Sequence, residues 1–186
     1  MRDLIHLLKY QGVRPAAAVL GRMLGETIAS IDTSMPEGRI AVIPVPLHER
    51  KRRQRGFNQS ELIARSALKC VGRRERFEMA VGALDRTRET GSQIGLTRHQ
   101  RRENLRGAFM VMEPARVANR QILIVDDVFT TGTTVSECAR VLRRAGASRV
   151  WVATVARTLK VSSVFAVPRQ DLEEGNEARL AAAANG

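Results

Sequence analysis

The segment from Ile122 to Thr134, ILIVDDVFTTGTT, constrains this chain more than any other. Ile122, Leu123, Ile124 and Val125 form a short apolar run without alternation, the pattern of a parallel strand covered on both faces. The run ends in two carboxylates, Asp126 and Asp127. Successive strand side chains leave opposite sides of the pleat, so one acid can meet ligand hydroxyls while the other faces a metal shell or the sheet edge. Thr130, Thr131, Thr133 and Thr134 then supply hydroxyls, and Gly132 lets the backbone turn its amides inward without a Cβ clash. Val135, Cys138, Ala139, Leu142 and Ala145 follow at helical spacing, with Gly146 as a left-handed stop. A strand, an anion cradle and a helix N-terminus in this order predict an open α/β sheet that binds a ligand beyond its carboxyl edge. Acids for hydroxyls beside a nest for phosphate suit a phosphosugar.

Other readings of the segment fit less well. Turn chemistry alone does not require two acids followed by four threonines. A phospho-acceptor receiver domain also carries an acid pair at a strand end, but near its start and with a later lysine. Here the pair comes late, and no lysine follows before Lys160. Neither G-x-x-x-x-G-K-[ST] nor G-x-G-x-x-G occurs in the chain, which sets aside the common nucleotide-binding loops.

At 186 residues the chain suits one domain, or one domain with a tail. No apolar run approaches transmembrane length, and Met1 to Lys9 is too interrupted by Asp3 and His6 for a signal peptide. A cytoplasmic protein without membrane insertion is expected. Cys70 and Cys138, the two cysteines, fall on apolar helical faces and read as small core hydrophobes. The net charge is +12, carried almost wholly by arginine. Two clusters stand out, Arg50 to Arg55 and Arg98 to Arg106, both flanking the expected ligand crevice. Arginine forks suit pyrophosphate and equally a nucleic-acid backbone. An aromatic content of 4% gives little support for a base-stacking platform.

Along the chain, residues 4–9 and 13–31 read as helices, the second with Leu20, Met23, Leu24, Ile28 and Ile31 on one stripe and weakened by Gly21 and Gly25. A buried strand over 40–45 is closed by Pro44 and Pro46. Residues 58–70 read as a helix opened by an Asn-x-x-Glu signature. A basic turn over 73–76 precedes a strand over 80–88, which runs into a mobile loop over 87–98 rich in Gly, Thr, Ser and Gln. A short polar helix over 97–103, a strand over 107–112 and a last buried strand over 150–155 complete the pattern. His48 is a lone histidine after a strand, more consistent with surface decoration than with acid–base work. Asn58 and Gln59 suit either helix capping or ligand contact. The domain is expected to span residues 1–157, with 158–186 as a largely disordered extension.

The segment from Ile122 to Thr134 resembles the motif that binds phosphoribosyl diphosphate (PRPP) in type I phosphoribosyltransferases. Around it, the blocks Ile43 to His48 (IPVPLH), Arg55 to Gln59 (RGFNQ), Arg86 to Arg88, Gln93, and Arg101 to Asn104 (RREN) resemble the ComF-type, or competence-protein, subgroup. The resemblance runs from Leu4 to Arg157. It implies a parallel-sheet type I phosphoribosyltransferase fold with a small hood or lid and helices on both faces. It implies Asp126 and Asp127 as catalytic residues on the ribose hydroxyls, and Thr130, Thr131, Gly132, Thr133 and Thr134 around the 5′-phosphate. Arg50, Arg53 and Arg55 would meet pyrophosphate. Arg86, Arg88, Gln93, Arg101 and Asn104 would form or brace a lid that excludes water from an oxocarbenium-like centre.

Mg²⁺ is implied as the companion of PRPP, held mostly by ligand oxygens and water with Asp126 or Asp127 in its outer shell. Family members often begin with a cysteine-rich zinc module. This chain has no C-x-x-C, so no zinc is expected, and either the protein is a short variant or its start lies upstream of Met1. The implied reaction is displacement of pyrophosphate from C1 of ribose by an unidentified nitrogen acceptor, in a protein serving DNA uptake during natural transformation. A competence helicase and a recombination mediator are the implied partners. The alternative is a non-catalytic competence factor that uses the same fold to bind single-stranded DNA or protein partners.

Overall fold

The computed structural model describes residues 2–90 and 97–157. Gln93 and the extension over 158–186 lie outside the described residues. A four-stranded parallel sheet forms the centre, in the order β2 (Phe77–Met79), β1 (Ile40–Pro44), β5 (Gln121–Phe129), β6 (Arg149–Arg157). A separate antiparallel pair, β3 (Leu84–Arg86) and β4 (Phe109–Val111), forms the small hood. Because β1 and β5 are buried on both faces, their sequences run apolar without alternation, as expected.

Alternation along β5 divides the core. Leu123 and Val125 face a cluster built with α1 (Arg2–Tyr10), α2 (Ala16–Asp32) and α4 (Gln59–Ala67). Ile122 and Ile124 face α6 (Thr133–Arg144) and the hood. Helices therefore cover both faces, and the architecture is the type I phosphoribosyltransferase-like α/β fold. Leu20, Leu24 and Ile28 of α2 are fully buried, each worth roughly 1.5–3 kcal/mol of apolar transfer. Met23, on the expected stripe, is exposed instead.

Gly21 and Gly25 are contact points rather than weak points of α2. A Cβ on Gly21 would lie 2.3 Å from Cβ of Ser66, and one on Gly25 would lie 2.7 Å from the carbonyl of Ala67. The missing side chains let α2 and α4 pack backbone to backbone.

Several expectations need correction. Residues 49–55, which hold the first basic cluster and no expected element, form a short helix, α3 (Glu49–Arg55). His48 caps it by accepting from the Arg50 amide, and Gly56 ends it in the left-handed region at φ 75°. The basic turn over 73–76 instead leads directly into β2, and Arg76 is buried. Its guanidinium pairs with Asp32 at 2.7 Å and donates to the carbonyls of Gly38 and Met35, tying down the chain that leaves α2. Helix α4 stops at Ala67, so Cys70 falls in the following turn and is exposed; Cys138 is buried as expected. Finally, β5 does not end before the acids but runs through them to Phe129.

Candidate functional site at the carboxyl edge of the sheet

The site is organised by the end of β5 and the start of α6. Gly132 takes the left-handed conformation (φ 73°) that the turn requires, and a Cβ there would meet the Phe129 ring at 2.5 Å. The Phe129 ring thus forms the floor of the loop, with the Arg157 guanidinium 5.5 Å from its centroid. No side chain caps α6. The first amides of a helix have no intrahelical acceptor, so those at the start of α6 present partial positive charge to the rim. Thr131 and Thr133 pair through their hydroxyls at 2.8 Å.

The acid pair lies beside this loop, and both members are buried. Asp126 accepts from the Asp127 amide at 2.9 Å and from the Ser60 hydroxyl at 3.1 Å. Burial pushes the Asp126 carboxyl up to about 7, reinforced by Asp127 and opposed by those two hydrogen bonds and by Lys9. Asp127 meets the Lys9 ammonium at 2.6 Å, an ion pair without hydrogen-bond alignment. The expected open pair is therefore covered in this structure. The strand carries the acids inward, and α1 places a cation over one of them. The gap between Asp126 and the Thr130–Val135 turn measures only about 10 Å³.

Larger spaces open on either side. One, about 290 Å³, lies between α5 (Arg98–Leu105) and α6, lined by Arg102, Arg106, Thr131, Thr133, Ser136 and Glu137 among others. Glu137 there is bound to Arg140 and to the Gly107 amide, which holds its carboxyl below the usual range. The second, about 370 Å³, lies between α1 and α3, lined by Lys9, Tyr10, Gly12, Lys51, Gln54 and Arg55.

The arginines expected at pyrophosphate have partners of their own. Arg50 pairs with Glu89 at 3.2 Å, Arg53 with Glu49 one turn back, and Arg55 donates to Gln59 at 2.6 Å. Arg55 is the one of the three whose partner is neutral. Among the lid residues, Arg86 lies over the Phe109 ring at 5.6 Å and donates to Thr90. Burial pushes its guanidinium below its ordinary value, with Asp126 acting in the opposite direction. Arg88 donates to the carbonyls of Asn104 and Arg106, bracing the end of α5. Arg101 and Asn104 are both on α5, which starts at a capping box on Thr97. Asn58 caps α4 through the Ser60 amide and donates to Val45, while Gln59 is buried beneath Arg55. His48 is the cap described above.

Sequence reasoning missed Lys9, Ser60 and Lys51. Ser60 had a local signal, since the helix cap at Asn58 places it at the rim. Nothing in the spacing tied Lys9 to a carboxylate 118 positions away. Among the described residues no cluster of three or more His, Cys, Asp or Glu side chains forms a metal cage, and no helix is long and apolar enough to cross a membrane.

Comparisons with known proteins place the chain among the phosphoribosyltransferase-like proteins. The phosphoribosyl transferase domain model matches residues 78–164. The DNA utilization protein YhgH of Escherichia coli O6:H1 is 39% identical over 160 residues, covering 86% of this chain and 68% of that protein. Competence protein F of Haemophilus influenzae is 32% identical over 118 residues, covering 63% of this chain and 50% of that protein. Among solved structures, an allosteric regulatory enzyme of purine biosynthesis is similar with a TM-score of 0.46 at 24% identity, covering 77% of this chain and 26% of that one. The chain belongs to the ComF-type family of phosphoribosyltransferase-like proteins, and spans about two thirds of the length of its E. coli relative.

Proposed function

We propose that this chain binds PRPP at the rim beyond β5 and, with Mg²⁺, transfers its phosphoribosyl group to a nitrogen acceptor in a process of DNA utilization. The observation that carries this reading is the uncapped start of α6 beside a buried acid pair with a single cationic partner among the described residues. A helix start without its own cap is a ready phosphate site. Thr130 to Thr134 would take the 5′-phosphate, and Asp126 and Asp127 the ribose hydroxyls. Arg55, Lys51 and Lys9 face the side where pyrophosphate would leave; Arg50 and Arg53 would first have to give up their glutamates.

Two adjacent carboxylates fit a Mg²⁺ ion held largely by ligand oxygens and water, and do not fit an all-protein metal cage. When bound, Mg²⁺ would neutralise charge developing on the leaving pyrophosphate. The residues would contribute by placing C1 in line with its acceptor and by excluding water, for which Arg86 and Arg88 lie beside the hood. The names of the relatives support a setting in DNA utilization or competence.

Calorimetric titration with PRPP and Mg²⁺ tests the reading. Binding by the parent and its loss in Asp126→Asn/Asp127→Asn is expected. No heat at millimolar ligand, or equal affinity in the double variant, would remove the proposal. Screening nucleobases for pyrophosphate release would then identify the acceptor.

A second reading, single-stranded DNA binding, rests on Arg102 and Arg106. Both are exposed at the end of α5 and line the 290 Å³ space, and their guanidinium groups have no partner among the described residues. Backbone binding would weaken steeply with salt, and Arg102→Ala/Arg106→Ala should reduce the slope by about 2. An unchanged slope would assign these arginines elsewhere.

A further inference from the structure

The ion pair between Lys9 and Asp127 joins the N-terminal helix to the acid pair. Helix α1 buries Ile5 and Leu8 in the core, which anchors it. Lys9, next in sequence to Leu8, is turned to the rim and remains partly exposed, at 22% against 5% for Asp127. The same ammonium lines the 370 Å³ space with Lys51 and Arg55.

Among the described residues that space has three cations and no carboxylate in its lining. Arg55 has only neutral Gln59 as a hydrogen-bond partner, and Lys51 has no ion pair among the described residues. Burial holds the Lys51 ammonium below its ordinary value, with Arg86, Arg55 and Lys9 pressing in the same direction and Glu89 opposing. Cations gathered in this way are relieved by a multiply charged anion. A lysine is suited to move between partners, because its charge rides on a flexible four-carbon stem.

We propose that Lys9 is a transferable counter-ion and thus a positioning residue of the site. Without ligand it neutralises Asp127. When a diphosphate ligand arrives with its divalent cation, Lys9 yields Asp127 to the cation and turns into the space beside Lys51 and Arg55, where it holds a phosphate oxygen. The inference rests on the PRPP reading above and adds a residue from α1 to it. It also explains how a covered acid pair can serve a ligand: the cover belongs to the binding groups.

The test uses the full chain, with Mn²⁺ alone followed by electron paramagnetic resonance and inorganic pyrophosphate alone followed by calorimetry. Lys9→Met leaves Asp127 without its cation and should bind Mn²⁺ about tenfold more tightly, while pyrophosphate binding weakens about tenfold. Shifts of opposite sign separate this role from a structural one, since a loosened fold would weaken both. Lys9→Arg should restore pyrophosphate affinity. Lys51→Met, which keeps the length of the side chain and removes its charge, should weaken pyrophosphate and leave Mn²⁺ unchanged. Unaltered Mn²⁺ or pyrophosphate affinity in Lys9→Met, two shifts of the same sign, or unaltered pyrophosphate affinity in Lys51→Met would each overturn the proposal. If the parent binds PRPP with Mg²⁺ and these variants behave like it, the role of Lys9 falls alone. If the parent binds no PRPP, both fall together.

Discussion

The turn after β1 and the turn after β5 leave the same edge of the same sheet, yet they treat their polar groups in opposite ways. After β1, His48 caps α3 and Asn58 caps α4, while Arg50, Arg53 and Arg55 are engaged by Glu89, Glu49 and Gln59. After β5, α6 begins on Gly132 with no side-chain cap, and Asp127 is met by a lysine from distant α1. A segment that satisfies itself gains stability from doing so; one that does not is held ready for something else. The contrast separates a turn whose polar groups are mostly paired, with Arg55 and Lys51 left to spare, from one whose first helical amides have no partner of their own.

A methyl group placed at the left-handed glycine of each turn gives the most severe test. At Gly132 the new Cβ would strike the Phe129 ring, so Gly132→Ala should cost about 1–3 kcal/mol and abolish PRPP binding. Denaturant melts and calorimetry would measure both; retained binding would mean that the loop geometry is not what holds phosphate.

The next effect is a pH dependence. Asp126 keeps its proton to about 7 when folded, against 3.8 as an ordinary carboxyl. The folded protein therefore binds a proton that the unfolded chain has released in that window. This contribution to stability is complete below the lower value and is lost as pH rises through the upper one, by roughly 2–4 kcal/mol. Asp126→Asn should flatten the decline and be the more stable protein at pH 8, as followed by urea unfolding at pH 5 and pH 8. A parent curve that is level across the window would show that the acid is not buried in the unliganded protein.

Smaller effects are expected after β1. At Gly56 nothing lies within 4 Å of a new Cβ, so Gly56→Ala should cost only the backbone strain, about 1 kcal/mol, with PRPP affinity retained. Arg53→Ala removes an exposed pair and should change stability by less than about 0.5 kcal/mol. A larger loss of ligand affinity in either would bring the two turns closer together than their structures suggest.

What could be read from the sequence followed chain locality. The strand, loop and helix from Ile122 to Arg144 are contiguous, so their pattern survives in one dimension, and the Asn58 cap was visible for the same reason. Arginines could be placed near the rim but not assigned partners, because Glu89 reaches Arg50 across 39 positions. Arg76 reads only as part of a basic turn, because the carbonyls after α2 that surround it lie about 40 positions away. Lys9 belongs to the same class: its meaning lies in where α1 docks, which no local pattern encodes. Gly21 and Gly25 were misread as helix weaknesses because propensity is local and close packing is not.

Those two glycines reach further than the core. Helix α4, which they allow to lie against α2, brings Ser60 to Asp126 at its opening turn. A bulkier residue at position 21 would prise α4 outward and draw the Ser60 hydroxyl off the carboxylate. The acidity of a group at the sheet's rim is thus tuned from the opposite end of a neighbouring helix, by atoms that are not there.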